Sequence, residues 1–198
     1  GTMAVFLEVN HGAMVDNGLV FFMLAAMWAA FTALETELPR RRRWAAAAFA
    51  VSAGMAFLCK GGVGVVLIGA ALCGYLTHAR QWHKIPRLSP AAGFLIFGAL
   101  AGAWLLALWQ RGGAEYFKIF FIHNHCQRLA GTFEPIKARW YYLPYLLAVA
   151  MPWTMVIPAG IQHLRGQSAN NPALRRFELF LLWWVGAMYL VLNIAGEK

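Results

Sequence analysis

Four apolar runs dominate this chain: Asn17 to Leu34, Pro90 to Trp109, Tyr141 to Ile161 and Phe177 to Ala195. None carries a charge in its central part, and Glu178 stands only near the start of the last. A hydrocarbon core about 30 Å thick is crossed by about 20 helical residues, which is the scale of each run. In lipid the backbone must satisfy its own hydrogen bonds, so such runs fold as helices. A shorter pair, Trp44 to Leu58 and Gly62 to Leu76, is separated by Cys59-Lys60-Gly61. Whether the pair is two short spans or a hairpin that does not fully cross, both of its ends emerge on one side. The expectation is an all-α polytopic transmembrane bundle of about six membrane segments.

Composition excludes the alternatives. Hydrophobic residues make up 61% of the chain and charged residues 13%, against roughly 45–50% and 25% in a soluble domain. A disordered chain is poor in aromatics, whereas this one carries 14 Phe, 9 Trp and 6 Tyr. Residues 1–198 read as part of one transmembrane domain with an outer loop over 110–140. Gly1-Thr2-Met3 offers no basic leader segment and Gly196-Glu197-Lys198 follows a span directly. The chain therefore reads as an internal piece of a longer protein.

The net charge of +9 lies between the apolar runs, which points to membrane orientation and anionic head groups and away from nucleic acid. Arg40 to Arg43, then Arg80, Lys84 and Arg87, then Arg165, Arg175 and Arg176 all fall on one side. These short loops belong in the cytoplasm, and they read as topology signals, with Gln167 to Pro172 a plain flexible connection. The opposite side receives Asp16, the Lys60 turn, the stretch Arg111 to Trp140 and Lys198. Three cysteines, two of them in apolar runs, give no disulfide framework.

That outer side holds the candidate chemistry. Asp16 opens a span, either as a helix N-cap or as a boundary carboxylate able to bind a divalent cation or orient a sugar phosphate. Lys60 precedes Gly61, Gly62 and Gly64. It is either a lysine snorkelling to head groups or an ammonium beside a backbone that can approach a phosphate closely. The spacing is not that of a nucleotide P-loop. The segment Glu115 to Arg128 suggests an interfacial amphipathic helix, with Phe117, Phe120, Phe121 and Ile122 as its apolar positions. His123, Asn124, Gln127 and Arg128 form a donor set for phosphate or sugar, beside the alternative of a solvated loop. His123, His125 and Cys126 do not share one helix face, which disfavours a three-ligand zinc site.

The order of these motifs resembles the polyprenyl-phosphate-sugar-dependent glycosyltransferases of the type-C membrane fold, in particular the 4-amino-4-deoxy-L-arabinose transferase and protein mannosyltransferase group. The resemblance rests on Val15-Asp16-Asn17-Gly18-Leu19, Leu58-Cys59-Lys60-Gly61-Gly62, the segment Phe120 to Leu129, Tyr141-Tyr142, Pro152-Trp153 and the final Lys198. Gly62 stands where the group usually has Pro, Leu129 where it has Phe, and no His precedes the Tyr-Tyr pair. The acidic residue usually assigned to catalysis in that group falls before residue 1, so this piece alone is expected to be inactive.

The resemblance implies transfer of a sugar from a polyprenyl phosphate to a lipid A or protein acceptor, on the outer side of a bacterial cytoplasmic (inner) membrane. It implies a catalytic role for Asp16, positioning the donor or a divalent metal, the one cofactor in question. It also implies contacts to the donor phosphate from Lys60, Asn124, Arg128 and His123. The rivals are a non-catalytic scaffold and a lipid or solute transporter. A transporter usually buries ionisable groups near the bilayer midplane, and the central parts of these runs carry none.

Overall fold

The computed structural model describes residues 15–118, 151, 153–168 and 170–194, without the side chains at 15, 16, 114–118, 153, 164, 165, 167 and 192–194. The described residues are helical or lie in turns, with no strand among them. Six α-helices follow in order: α1 (Val15–Glu35), α2 (Pro39–Lys60), α3 (Gly62–His78), α4 (Pro90–Lys118), α5 (Ile157–Ser168) and α6 (Pro172–Ile194). Two 3₁₀ helices, Trp82–Leu88 and Trp153–Met155, complete the series.

Local chemistry sets most boundaries. Prolines open α2, α4 and α6, where a missing N–H costs nothing and φ is already helical. Asn171 Oδ1 accepts the backbone N–H of Ala173 at 3.1 Å and of Leu174 at 3.3 Å, a side-chain cap on α6. Gly61 ends α2 at φ 65°, its N–H donating to Phe57 O at 2.6 Å. The end of α3 is a Schellman stop: Arg80 N–H donates to Thr77 O at 3.2 Å and Gln81 N–H to Leu76 O at 2.9 Å. Arg80 occupies the left-handed position at φ 53°, where glycine is usual.

The core lies between α1, α2, α3 and α6. Met23, Ala26, Met27, Ala30 and Leu34 of α1 meet Ala53 and Ala56 of α2, Leu67, Ile68, Ala71, Leu72 and Tyr75 of α3, and Phe180 and Ala187 of α6. Alanines along α2 let it lie close against α1. Phe31 centres an aromatic group, with ring centroids 5.0 Å from Phe180 and 5.3 Å from Phe177. The α4 helix packs beside α2, with Gly93 near Ala50, Leu100 against Gly54 and Phe97 stacked edgewise on Phe57 at 5.5 Å. Its other side presents Phe94, 77% exposed, and Leu95, 75% exposed, an apolar surface that suits lipid and not water.

The all-α expectation stands, and three finer expectations change. Two helices, over Asn17–Glu35 and Pro90–Gly113, are long and apolar enough to cross a bilayer, while Gly62–His78 is apolar but shorter. Among the described residues these two helices are the candidates for spans by length and apolarity. The run from Tyr141 to Ile161 does not continue as one helix: a 3₁₀ turn occupies Trp153–Met155, and α5 starts afresh at Ile157. Pro158, tolerated in a first turn and nowhere deeper, accounts for that restart. Gln167 and Ser168 belong to α5 and Asn171 caps α6, so this connection is specified rather than plain. The α4 helix also runs past Trp109 to Lys118 and breaks direction at Gly113, at φ 62°.

Candidate functional site

At one end of the bundle the first turns of α1 meet the turn between α2 and α3. Two glycines permit the approach. A Cβ on Gly18 would sit 3.3 Å from Cys59 Sγ, and one on Gly64 would sit 2.9 Å from Leu19 Cδ1 and 3.3 Å from Ala56 O. Asp16, the second residue of α1, is therefore within one helical turn of a backbone packed against the residue preceding Lys60. Its place inside the first turn, rather than before it, still gives a carboxylate the sign that the helix dipole favours.

Lys60 closes α2 and is exposed. A cation there suits the negative end of α2, and α3 starts two residues later, at Gly62, without a side-chain cap. This end thus combines an ammonium with the positive ends of two helices, α1 and α3. Such an arrangement attracts an anion at the membrane boundary. The α4 helix continues beyond Lys60, and Trp104, Ala107, Leu108, Arg111 and Gly112 line a shallow groove there.

Of the sequence-expected site residues, Lys60 and the backbone of Asp16 are brought together. His123, Asn124 and Arg128 lie outside the described residues, as do His125, Cys126, Tyr141, Tyr142 and Lys198. Among the described residues no three His, Cys, Asp or Glu side chains gather to hold a metal; the side chain of Asp16 lies outside that set.

The opposite end carries a polar cluster that sequence reasoning missed. Glu35, at the end of α1, receives Lys84 Nζ at 2.7 Å, Arg176 Nε at 2.8 Å and the Tyr75 hydroxyl at 3.3 Å. The Arg176 contact is an ion pair without an aligned hydrogen bond. Arg87 Nη1 donates to Leu34 O at 3.0 Å and to Glu37 Oε1 at 3.1 Å, covering the carbonyl end of α1. Lys84, Arg87 and Arg176 are thus more than topology signals: they tie α1, α3, the 3₁₀ helix Trp82–Leu88 and α6 together. The available signal was a pair of carboxylates, Glu35 and Glu37, placed where an apolar run ends.

A helical bundle with lipid-suited faces and polar, cation-bearing groups at both ends has the architecture of a membrane protein. The comparisons agree with the resemblance read from the motif order. Over 198 residues, all of this chain and 34% of the relative, it is 28% identical to the undecaprenyl phosphate-alpha-4-amino-4-deoxy-L-arabinose arabinosyl transferase of Pectobacterium atrosepticum. The same enzyme from Aeromonas salmonicida is 29% identical over 93% of this chain and 33% of its own length. The crystal structure of ArnT from Cupriavidus metallidurans bound to undecaprenyl phosphate superposes with a TM-score of 0.70 at 26% identity, over 93% of this chain and 31% of that one. No family model matches. The chain spans about a third of the length of the curated relatives it matches.

Proposed function

We propose that the intact protein is a membrane glycosyltransferase that moves a sugar from a polyprenyl phosphate to lipid A, and that the Asp16–Lys60 end receives the donor phosphate. The observation that carries this reading is the packing of the first turns of α1 on the α2–α3 turn. It sets a carboxylate position and an ammonium at one boundary, where a lipid-linked donor arrives laterally. In the reaction an acceptor hydroxyl forms a new bond to the anomeric carbon while the bond from that carbon to the phosphate oxygen breaks. The polyprenyl phosphate leaves with the bonding electrons, and a base takes the hydroxyl proton. Lys60 neutralises the departing phosphate, the type of charge development that preorganised cations stabilise. Asp16 positions the donor or a divalent metal, and His123, Asn124 and Arg128 complete the donor contacts.

In this reading the remaining helices bring the count to about six membrane segments, and the protein is multi-pass in a bacterial inner membrane, with the arginine-rich end in the cytoplasm. A protein acceptor is the alternative to lipid A. The half-buried ion cluster at Glu35 lies at the last residue of α1 and not at mid-span, which favours transfer over a transport path.

The test is release of polyprenyl phosphate from polyprenyl-phosphate sugars by the intact protein in proteoliposomes. Wild type is expected to release it, with losses of roughly 100-fold in Lys60→Ala and in Asp16→Asn, the scale of a lost transition-state contact. Release indifferent to both substitutions removes this end from the donor site; no release from any donor removes the transferase reading.

A further inference from the structure

We propose that the end of the bundle opposite Lys60 is a docking surface for acidic phospholipid head groups, selective for them over zwitterionic lipid. The proposal takes its orientation from the donor reading of the Lys60 end. Its basis is a charge account. Glu35 is occupied by Lys84 and Arg176, and Glu37 by Arg87. Arg40, Arg41, Arg42, Arg43, Arg80 and Arg175 pair with no carboxylate among the described residues. Arg40, Arg41 and Arg43 are exposed, and the adjoining Trp44 is 70% exposed, an indole suited to the head-group layer.

The placement of these arginines points the same way. Those at 40–43 lie in the first turn or so of α2, and Arg175 and Arg176 in that of α6, with no acidic residue in either first turn. Cations there oppose the positive helix end, and Arg40 to Arg43 and Arg175, unlike Arg176, gain no carboxylate partner among the described residues in return. The two helix starts flank one point. Ala45 and Ala46 of α2 pack with Ala33 beside the end of α1, and Arg176 reaches Glu35 from α6. An external layer of phosphodiester anions turns both unfavourable arrangements into favourable ones.

The test is the thermal unfolding midpoint of the intact protein in neutral detergent, with phosphatidylglycerol or phosphatidylcholine added. Phosphatidylglycerol is expected to raise the wild-type midpoint by roughly 5 °C more than phosphatidylcholine does, and salt at roughly 0.5 M should abolish the difference. The R40Q/R41Q/R43Q/R175Q variant should lose most of that shift while unfolding, without lipid, at the wild-type temperature or above it. The corresponding lysine variant should keep the shift, and so should Lys60→Gln, because the donor end plays no part. Should the glutamine variant not fold, Arg175→Gln alone, together with the salt titration, decides. A full shift in the glutamine variants, equal shifts from both lipids, loss of the shift in Lys60→Gln, or the same shift from a soluble oligonucleotide would each overturn the proposal. Failure of the donor reading shows separately, in polyprenyl phosphate release.

Discussion

Replacing Glu35 by alanine leaves Lys84, whose side chain is 13% exposed, without its carboxylate, and also strips Arg176 and the Tyr75 hydroxyl of theirs. Breaking a buried pair from one side costs about 3–5 kcal/mol, reduced to about 2–4 because Arg176 is 42% exposed. Tyr75→Phe removes one hydroxyl, which reaches Glu35 Oε1 at 3.3 Å and Gln81 Oε1 at 3.5 Å, and should cost only about 1 kcal/mol. Thermal unfolding of the two variants should therefore separate clearly, with Glu35→Ala lower by at least ~4 °C than Tyr75→Phe. Equal midpoints would show that the cluster does not hold the bundle end. The two carboxylates at the end of an apolar run were readable in the chain, but their partners were not. The partners of Glu35 and Glu37 lie 49 and 50 residues away in Lys84 and Arg87, while the four arginines nearest in sequence pair with neither. Charge spacing along a chain selects no tertiary partner once loops intervene.

Between elements, α3 and α6 meet closely at Gly74. A Cβ built on Gly74 would collide with the Trp183 ring, whose Nε1 donates to His78 Nδ1 at 3.2 Å. Gly74→Ala must push that indole away, lose the bond and strain the contact, for about 1–3 kcal/mol. Gly69→Ala, on the same helix with nothing within 4 Å, should be neutral or gain up to about 1 kcal/mol from helix propensity. Unfolding midpoints of the pair check this, and equal effects would mean that Trp183 is not seated on Gly74. At this scale the sequence was informative where physics is local. Apolar length located α1 and the apolar part of α4, which starts at Pro90 as its run does. Pro39, which reads as a stop before an arginine loop, instead opens α2 and puts Arg40 to Arg43 inside the helix. The stop of α3 was hidden because Arg80, not glycine, holds the left-handed position. The restart at Ile157 was hidden because apolar length alone does not record where a proline breaks the run.

For the whole molecule, the outer end was legible as a set of residue types and only half legible as a place. Asp16 and Lys60 are far apart in the chain, and what joins them is the pair of glycines, Gly18 and Gly64, that let α1 settle on the α2–α3 turn. The same bundle exposes an apolar face of α4 and gathers arginines without carboxylate partners among the described residues at the other end. A donor site at the Lys60 end has to recognise a lipid-borne phosphate, and the affinity of the intact protein for polyprenyl phosphate, followed by tryptophan fluorescence in nanodiscs, measures that recognition. Loss of one charged contact is worth about 1.5–3 kcal/mol, so Lys60→Ala should bind roughly 10- to 100-fold more weakly than wild type. Equal affinities in wild type and Lys60→Ala would contradict the claim.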